Sequence, residues 1–203
     1  MKPRTVAAIG GVFVLVAIAF FLLGRAMRPA ADRSRQYINL SKDPREFRNE
    51  YLGLTVRVAP AGDWRLAWHP SQFRFPLPAN ANKVLEIERI LPADGSDTQW
   101  ARMDLFVEPL LTSTAARHML RKLEFRDKRE GFRVVSEQDM YIGGRPGHVR
   151  IGAWAVKNRK YRSANYYVEV GDKLFAFIAV AEADAFERFE PSFREIVATV
   201  SFR

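Results

Sequence analysis

The feature that most constrains this chain is an uncharged apolar run near its N-terminus. Residues 5–23 carry no charged side chain. As a helix, a run of this length rises about 28 Å, close to the roughly 30 Å hydrocarbon core of a bilayer. It therefore predicts one transmembrane helix, within an anchor over residues 1–25. The bulky residues that represent this membrane helix, a candidate contact surface in its own right, are Val12, Phe13, Val16, Phe20 and Phe21.

A cleaved signal peptide is the alternative interpretation of the same segment. Basic residues precede the run, and Gly24-Arg25-Ala26 has the small-x-small form of a cleavage site. The run is longer than the usual signal core of about 7–15 residues, and a cation lies inside the cleavage motif. Retention of the helix is therefore favoured.

Cations flank the run on both sides and bear on orientation. The four that follow it, which are candidates for contact with headgroups, are Arg25, Arg28, Arg33 and Arg35. Their excess over Lys2 and Arg4 favours a cytoplasmic domain. The compact basic start is instead typical of a signal anchor whose N-terminus stays inside. The sequence leaves the side of the membrane open.

The composition behind the anchor indicates a globular domain. After a juxtamembrane linker at 26–48, residues 49–203 are enough for one hydrophobic core. Apolar residues make up 48% of the 203 residues and charged residues 27%. The chain has no Cys, which excludes disulfides, a thiol nucleophile and cysteinyl zinc. The net charge of +9 suits nucleic acid, anionic lipid or an acidic protein, or reflects a bias toward arginine.

The sequence of the domain has the alternation of apolar and polar residues and the turn signals that are typical of an antiparallel sheet. Apolar side chains at every second position predict strands, most clearly at 51–58, 83–91, 101–107, 132–141, 148–156, 163–170 and 173–181. Gly-rich turns predict two hairpins, and helical spacing predicts helices beginning near Thr112 and Asp184. The predicted fold class is α+β: a single N-terminal transmembrane helix, then an antiparallel sheet flanked by two helices as an α/β/α sandwich.

The last helix has the most regular pattern in the domain. We expect Asp184 to cap it by accepting a backbone N–H. Its apolar stripe, which predicts the buried face, consists of Phe186, Phe189, Phe193, Ile196 and Val197.

No pattern in the sequence predicts a catalytic residue, a cofactor or a metal. The three histidines, His69, His118 and His148, are far apart in the chain, whereas a metal needs convergent ligands. No Gly-x-Ser-x-Gly nucleophile turn is present. Glu86 and Glu88 share one face of a strand, and we interpret them as a solvated pair.

A basic hairpin tip is the strongest interaction candidate in the domain. Its residues are Lys157, Arg159, Lys160, Tyr161 and Arg162. Cations beside an aromatic ring suit anionic headgroups, an acidic protein or nucleic acid. A solvated loop is the simpler interpretation. Nucleic acid is not expected, because the anchor already holds the domain beside a lipid bilayer.

Four segments together resemble the Mog1/PsbP/DcrB-like superfamily. They are Tyr51–Val56, Gly62–Trp64, Gly131–Gly147 and Ser192–Phe202, and the resemblance covers residues 47–203. It implies a non-enzymatic, protein-binding domain at or near a membrane, such as the lumenal accessory subunit of photosynthetic members. The chain departs from the envelope lipoproteins of the superfamily by lacking a lipidated Cys.

The functional hypothesis is a non-catalytic accessory or scaffolding subunit that stabilises a larger membrane protein complex. An energy-converting or photosynthetic complex is one candidate. We expect it in the inner membrane, with a periplasmic or otherwise exported domain. The alternative is a free-standing, membrane-anchored envelope sensor or ligand-binding module, with an apolar pocket near Trp64, Trp68 and Phe73. A third is a hydrolase, which substitution of His148 and Asp139 would test.

Overall fold

The computed structural model describes residues 34–59, 64–74, 82–92, 95, 97–110 and 131–203. The predicted membrane helix and the helix predicted from Thr112 lie outside the described residues, as do Arg25, Arg28 and Arg33; Arg35 is exposed. Among the described residues, no helix combines the length and apolar character needed to cross a membrane.

All described strands and the main helix lie in one compact unit, Ile38–Arg203. The strands are β1 (Glu46–Asn49), β2 (Leu54–Arg57), β3 (Trp64–Ala67), β4 (Lys83–Arg89), β5 (Ala101–Pro109), β6 (Arg133–Ile142), β7 (Arg145–Val156), β8 (Arg159–Val170), β9 (Lys173–Glu182) and β10 (Ser201–Phe202). Helix α1 is Phe186–Ala198, and a short 3-10 helix is Pro70–Gln72.

These strands form two antiparallel sheets. The smaller has the order β1-β2-β10, and the larger has the order β3-β4-β5-β9-β8-β7-β6. The predicted fold class is therefore wrong. Instead of a membrane helix and one sheet between two helices, the described residues contain two sheets and one complete α-helix. The small sheet escaped prediction because its strands are short and β10 pairs with β2 from the other end of the domain.

Helix α1 packs against one face of the large sheet, mainly on β8 and β9. Its buried side chains are Phe186, Phe189, Phe193, Ile196 and Val197, which confirms the predicted stripe. They share one core with apolar side chains of the small sheet, including Phe47, Leu54 and Val56. The predicted cap is wrong, because Ala185 is the N-cap and makes no side-chain hydrogen bond to the helix.

The opposite face of the large sheet has a different character. A smaller apolar cluster of Tyr167, Leu174 and Ala176 lies there with Phe106 and Ile178 beside it. Side chains alternate between the two faces along each strand. On this face, polar side chains surround the apolar cluster. This second face carries the candidate functional site.

Candidate functional site

A buried band of charges crosses the polar face at β4 and β5. Lys83 Nζ lies 3.0 Å from Asp104 Oδ1 and also pairs with Glu86. Arg102 Nη2 lies 3.1 Å from Asp104 Oδ2. Lys83 is 2% exposed and Glu86 is fully buried. Burial raises the pKa of Asp104, and the positive charges of Arg102 and Lys83 oppose that rise.

This band overturns the interpretation of Glu86 and Glu88 as a solvated pair. Both side chains are buried, and Glu88 pairs with Arg65 on β3. A β-bulge between Lys83 and Leu85 shifts the register, which places Lys83 on the face of Glu86 although the two are three positions apart. The sequence alternation gave no sign of that shift.

A cleft of about 560 Å³ opens at one end of this face, where β5 and β8 begin and β7 and β9 end. We call it the arginine–tryptophan cleft. Its aromatic lining is Trp100, Trp154 and Tyr161, and its charged lining is Arg74, Arg102, Arg159 and Glu182. Apolar side chains complete the wall, among them Leu91, Val156 and Val180.

The aromatic wall of this cleft is held by cross-strand stacking. Trp154 and Tyr161 are register partners on β7 and β8, and their rings stack at 5.7 Å. Phe132 lies 6.0 Å from Trp154 and covers Gly152, where a Cβ would overlap the Phe132 ring. Because Gly152 has no side chain, the Phe132 ring has room to lie over it and pack against Trp154.

The three guanidinium groups of the cleft differ in how firmly they are held, and that of Arg102 is the most constrained. Arg102 Cζ lies 5.3 Å from the centre of the Trp100 ring, in addition to its pair with Asp104. Arg159 Nη1 lies 3.9 Å from Glu182 Oε1, and Arg74 Nη1 lies 4.0 Å from Glu88 Oε2. Guanidinium donors beside aromatic rings suit a carboxylate that brings an apolar or aromatic group with it.

Asp97 anchors the loop that carries Trp100. Its Oδ2 lies 2.6 Å from Arg89 Nη2 and 2.8 Å from Arg188 Nη2, and its Oδ1 accepts the Gln99 backbone N–H at 2.9 Å. The hydrogen bond from Arg89 is the largest cause holding the pKa of Asp97 far below its usual range, followed by the Gln99 N–H. The loop is thereby tied to both β4 and α1.

The structure divides the predicted hairpin-tip candidates between the two faces. Arg159 and Tyr161 line the arginine–tryptophan cleft. Lys157 and Lys160 are exposed. Arg162 points to the other face, where its guanidinium lies 4.6 Å from the Phe186 ring and pairs with Glu187. These two contacts of Arg162 stabilise the packing of the first turn of α1 against β8.

Sequence reasoning missed the other cleft residues. Trp100, Arg102 and Trp154 come from separate strands or loops, and only the sheet order brings them together. The one available signal was the placement of Trp154 and Tyr161 symmetrically about a two-residue turn, which predicts a cross-strand pair.

The aromatic residues that the sequence analysis assigned to a pocket have other roles. Trp64 packs edge-on against Phe189 and Phe193, at 6.4 and 5.9 Å between ring centres. Trp68 lies against the same core. The Phe73 ring lies 4.6 Å from Lys83 Nζ.

A second cleft, also of about 560 Å³, lies at the opposite end of β7 and β8. We call it the tyrosine–carboxylate cleft, and its polar lining is Asp139, Tyr141, His148, Tyr167 and Glu169. His148 Nδ1 lies 3.1 Å from Asp139 Oδ1. Within the described ranges, no group of three side chains has the arrangement of a metal site.

Comparison with known proteins bears on the fold. No model of a protein family matches the chain, and no curated protein matches it in sequence. The solved structure of the cyanobacterial PsbP protein (CyanoP) from Synechocystis sp. PCC 6803 matches with a TM-score of 0.55 at 10% identity, over 78% of this chain and 91% of that one.

Two further solved structures match less well. A protein of unknown function from Pseudomonas aeruginosa has a TM-score of 0.46 at 15% identity, over 73% of this chain and 91% of its own. LpqN of Mycobacterium tuberculosis, involved in cell envelope biogenesis, has a TM-score of 0.47 at 16% identity, over 73% and 82%. Likeness at such identities concerns the fold alone. The chain has the PsbP-like fold, and its resemblance to the Mog1/PsbP/DcrB-like superfamily is confirmed at that level.

Proposed function

We propose that this chain is a non-catalytic accessory domain that binds an acidic segment of a partner protein in the arginine–tryptophan cleft. The observation that carries this proposal is the cleft itself, in which three arginines and three aromatic rings surround about 560 Å³. The exposed turn residue Lys157, next to Val156, adds a further positive charge beside the cleft.

The residue types in this cleft are those that dominate protein interfaces. Trp, Tyr and Arg are enriched among residues whose loss costs the most binding energy. The stack of Trp154 on Tyr161 is formed without a partner, so binding does not have to order these rings. The arginines offer paired N–H donors to a carboxylate, and the rings accept its apolar neighbour.

The accessory role follows from the superfamily resemblance, which implies protein-binding domains without catalysis. CyanoP is similar to this chain in fold only. The larger membrane complex, its energy-converting or photosynthetic nature, and the inner-membrane and periplasmic setting therefore stay predictions. The absence of catalysis is part of the same proposal.

A photo-crosslinking experiment tests the proposal in the native host. A photoreactive amino acid replaces Val156, which lines the cleft and is 46% exposed, and in a matched strain replaces Ile38, which is 50% exposed and outside it. We expect one protein to be captured from position 156 only. Trp154→Ala and Arg159→Glu in the same chain should abolish that capture. Equal capture from both positions would contradict the proposal.

A ligand-binding module remains a second candidate, because the cleft volume lies within the range of roughly 300–1,000 Å³ found for small-molecule sites. Native mass spectrometry of the full chain from its own host separates the two functions. A small molecule retained by the unaltered chain and lost in Trp154→Ala, without a crosslinked protein, would favour this second function.

A further inference from the structure

Among the described strands, β6 lies at one edge of the large sheet. Of the described strands, only β7 pairs with it. Its side chains are exposed from Arg133 to Asp139. Three exposed apolar side chains lie on it: Val134 at 49%, Val135 at 51% and Tyr141 at 75%. Unpaired backbone N–H and C=O groups along such an edge are a template for another strand.

The edge is regular where it borders the tyrosine–carboxylate cleft. The only register shift in the β6–β7 pair lies between Val134 and Ser136, and pairing is continuous from there to Ile142. Natural sheets commonly blunt an edge with Lys, Pro or a central bulge. This half of β6 contains no Lys or Pro, and its bulge lies at the far end.

Carboxylates outnumber cations beside this edge on the face of the cleft. Glu137 and Asp139 stand two positions apart on one face of β6, and Glu169 lines the same cleft from β8. Arg150 pairs with Glu137, and His148 contacts Asp139. Asp139 is 97% exposed, which leaves it open to a further partner.

Among the described residues, the two nearby cations Lys173 and Arg145 do not line this cleft. Lys173 lies one position from Leu174, so its side chain is on the other sheet face, where Nζ is 5.7 Å from the Tyr51 ring and 2.8 Å from Asp172. Arg145 is one position from Pro146, which lines the cleft, and is likewise on the alternate side. The carboxylates of the described lining, Asp139 and Glu169, therefore favour a positive group.

We propose that β6 is a docking edge for an extended, cationic segment of a partner protein. The segment adds a strand outside β6, and its alternate Lys or Arg side chains enter the tyrosine–carboxylate cleft. Residues directly opposite on neighbouring strands have Cβ atoms about 5 Å apart. A cation opposite Asp139 therefore reaches that carboxylate, and the Tyr141 ring beside it accepts the cation on its face.

This inference rests on a different cleft from the proposed function, so a result that contradicts one proposal does not contradict the other. The probe is a fluorescein-labelled synthetic peptide that alternates Lys and Val, measured by anisotropy with the full chain. Two further peptides are compared: one with Glu in place of Lys, and one N-methylated at alternate residues, which removes backbone donors. We expect about a tenfold loss of affinity or more for each.

Variants of the chain locate the peptide on β6. Asp139→Lys should weaken the Lys peptide about tenfold, whereas Glu50→Lys, an exposed site in the β1–β2 turn, should leave it unchanged. Circular dichroism checks that both variants fold. Equal binding of the Glu peptide, equal effects of both variants, or no binding at all would overturn the proposal. Self-association of the chain that Val135→Glu abolishes would also overturn it, because a second copy would then occupy the edge.

Discussion

The two clefts lie on one face of one sheet and have similar volumes, yet their charges are opposite. His148 and Trp154 mark them on β7, about 20 Å apart along the strand. Both clefts have aromatic walls. One adds three arginines and one carboxylate to these rings, and the other adds two carboxylates. The two clefts share the same strands, so the side chains at each end of those strands determine whether a cleft favours a negative or a positive partner.

The clefts also differ in how firmly their side chains are held. Trp154 and Arg102 are fixed by stacking and an ion pair. Asp139 and Tyr141 are largely exposed on an edge strand. The first cleft is therefore ready to receive a side chain, whereas the second needs a strand to complete it. The buried charged band on β4 and β5 belongs to the same face.

The largest expected effect comes from breaking the charged band. Lys83→Met should destabilise the fold by about 3–5 kcal/mol, because Glu86 and Asp104 lose a buried counter-charge. Urea unfolding of the variant measures this against Lys42→Met, an exposed control. Since burial already raises the pKa of Asp104, the deficit should shrink as the pH falls and the Asp104 carboxyl takes up a proton. A loss below about 1 kcal/mol would show that the band is dispensable.

Two glycine substitutions, one beside each cleft, should affect binding in the two clefts separately. Gly152→Ala forces the Phe132 ring away from its place behind Trp154, and Gly147→Ala places a Cβ 2.7 Å from the Tyr167 carbonyl oxygen. Each should cost about 1–3 kcal/mol of stability. Gly152→Ala should lower crosslinking from Val156 but spare the Lys peptide, and Gly147→Ala should do the reverse. Identical effects on both readouts would mean that the ends act as one site.

A smaller effect should appear at the loop that holds Trp100. The pKa of Asp97 is lower in the folded chain than in the unfolded one, so its stabilisation is complete above the ordinary carboxyl pKa and is lost as the pH falls below it. Asp97→Asn should lower the urea midpoint at pH 7 and reduce the further loss between pH 5 and pH 3. An unchanged pH dependence would place the acid sensitivity elsewhere.

The smallest effects on stability should come from the exposed charges of the two clefts. Arg159→Ala and Glu169→Gln should each change the free energy of unfolding by less than about 0.5 kcal/mol. Their effects on binding should differ, since Arg159→Ala weakens capture from Val156 and Glu169→Gln weakens the Lys peptide. A variant that fails in both assays would point to a general loss of structure.

Local patterns were the predictable part of this fold. The spacing of Phe186, Phe189 and Phe193 predicted the buried face of α1, because helical periodicity depends only on residues three or four positions apart. The Asp184 cap was not predictable from the same segment, since α1 begins one residue later, after Ala185. The strand β1 lies in the stretch predicted as a linker, because its pairing depends on β2 and leaves little local signal.

The candidate site was predictable only in part. Arg159 and Tyr161 were found because they belong to one basic hairpin. Arg102 and Trp100 were missed because they reach the cleft from another strand and its preceding loop. Glu86 looked solvated because a strand face alone does not say what lies beside it, and here β5 supplies Arg102 and Asp104.

The sequence by itself determined the tight hairpins, the apolar stripe of α1, the lack of thiol chemistry and the basic tip. Each of these depends on residue identity or on spacing within a few positions. The tertiary structure decided which charges are buried, which aromatic rings meet and which strand is left at the edge. Those outcomes depend on sheet order and on a bulge that shifts the register of β4, and neither is encoded by alternation within one strand.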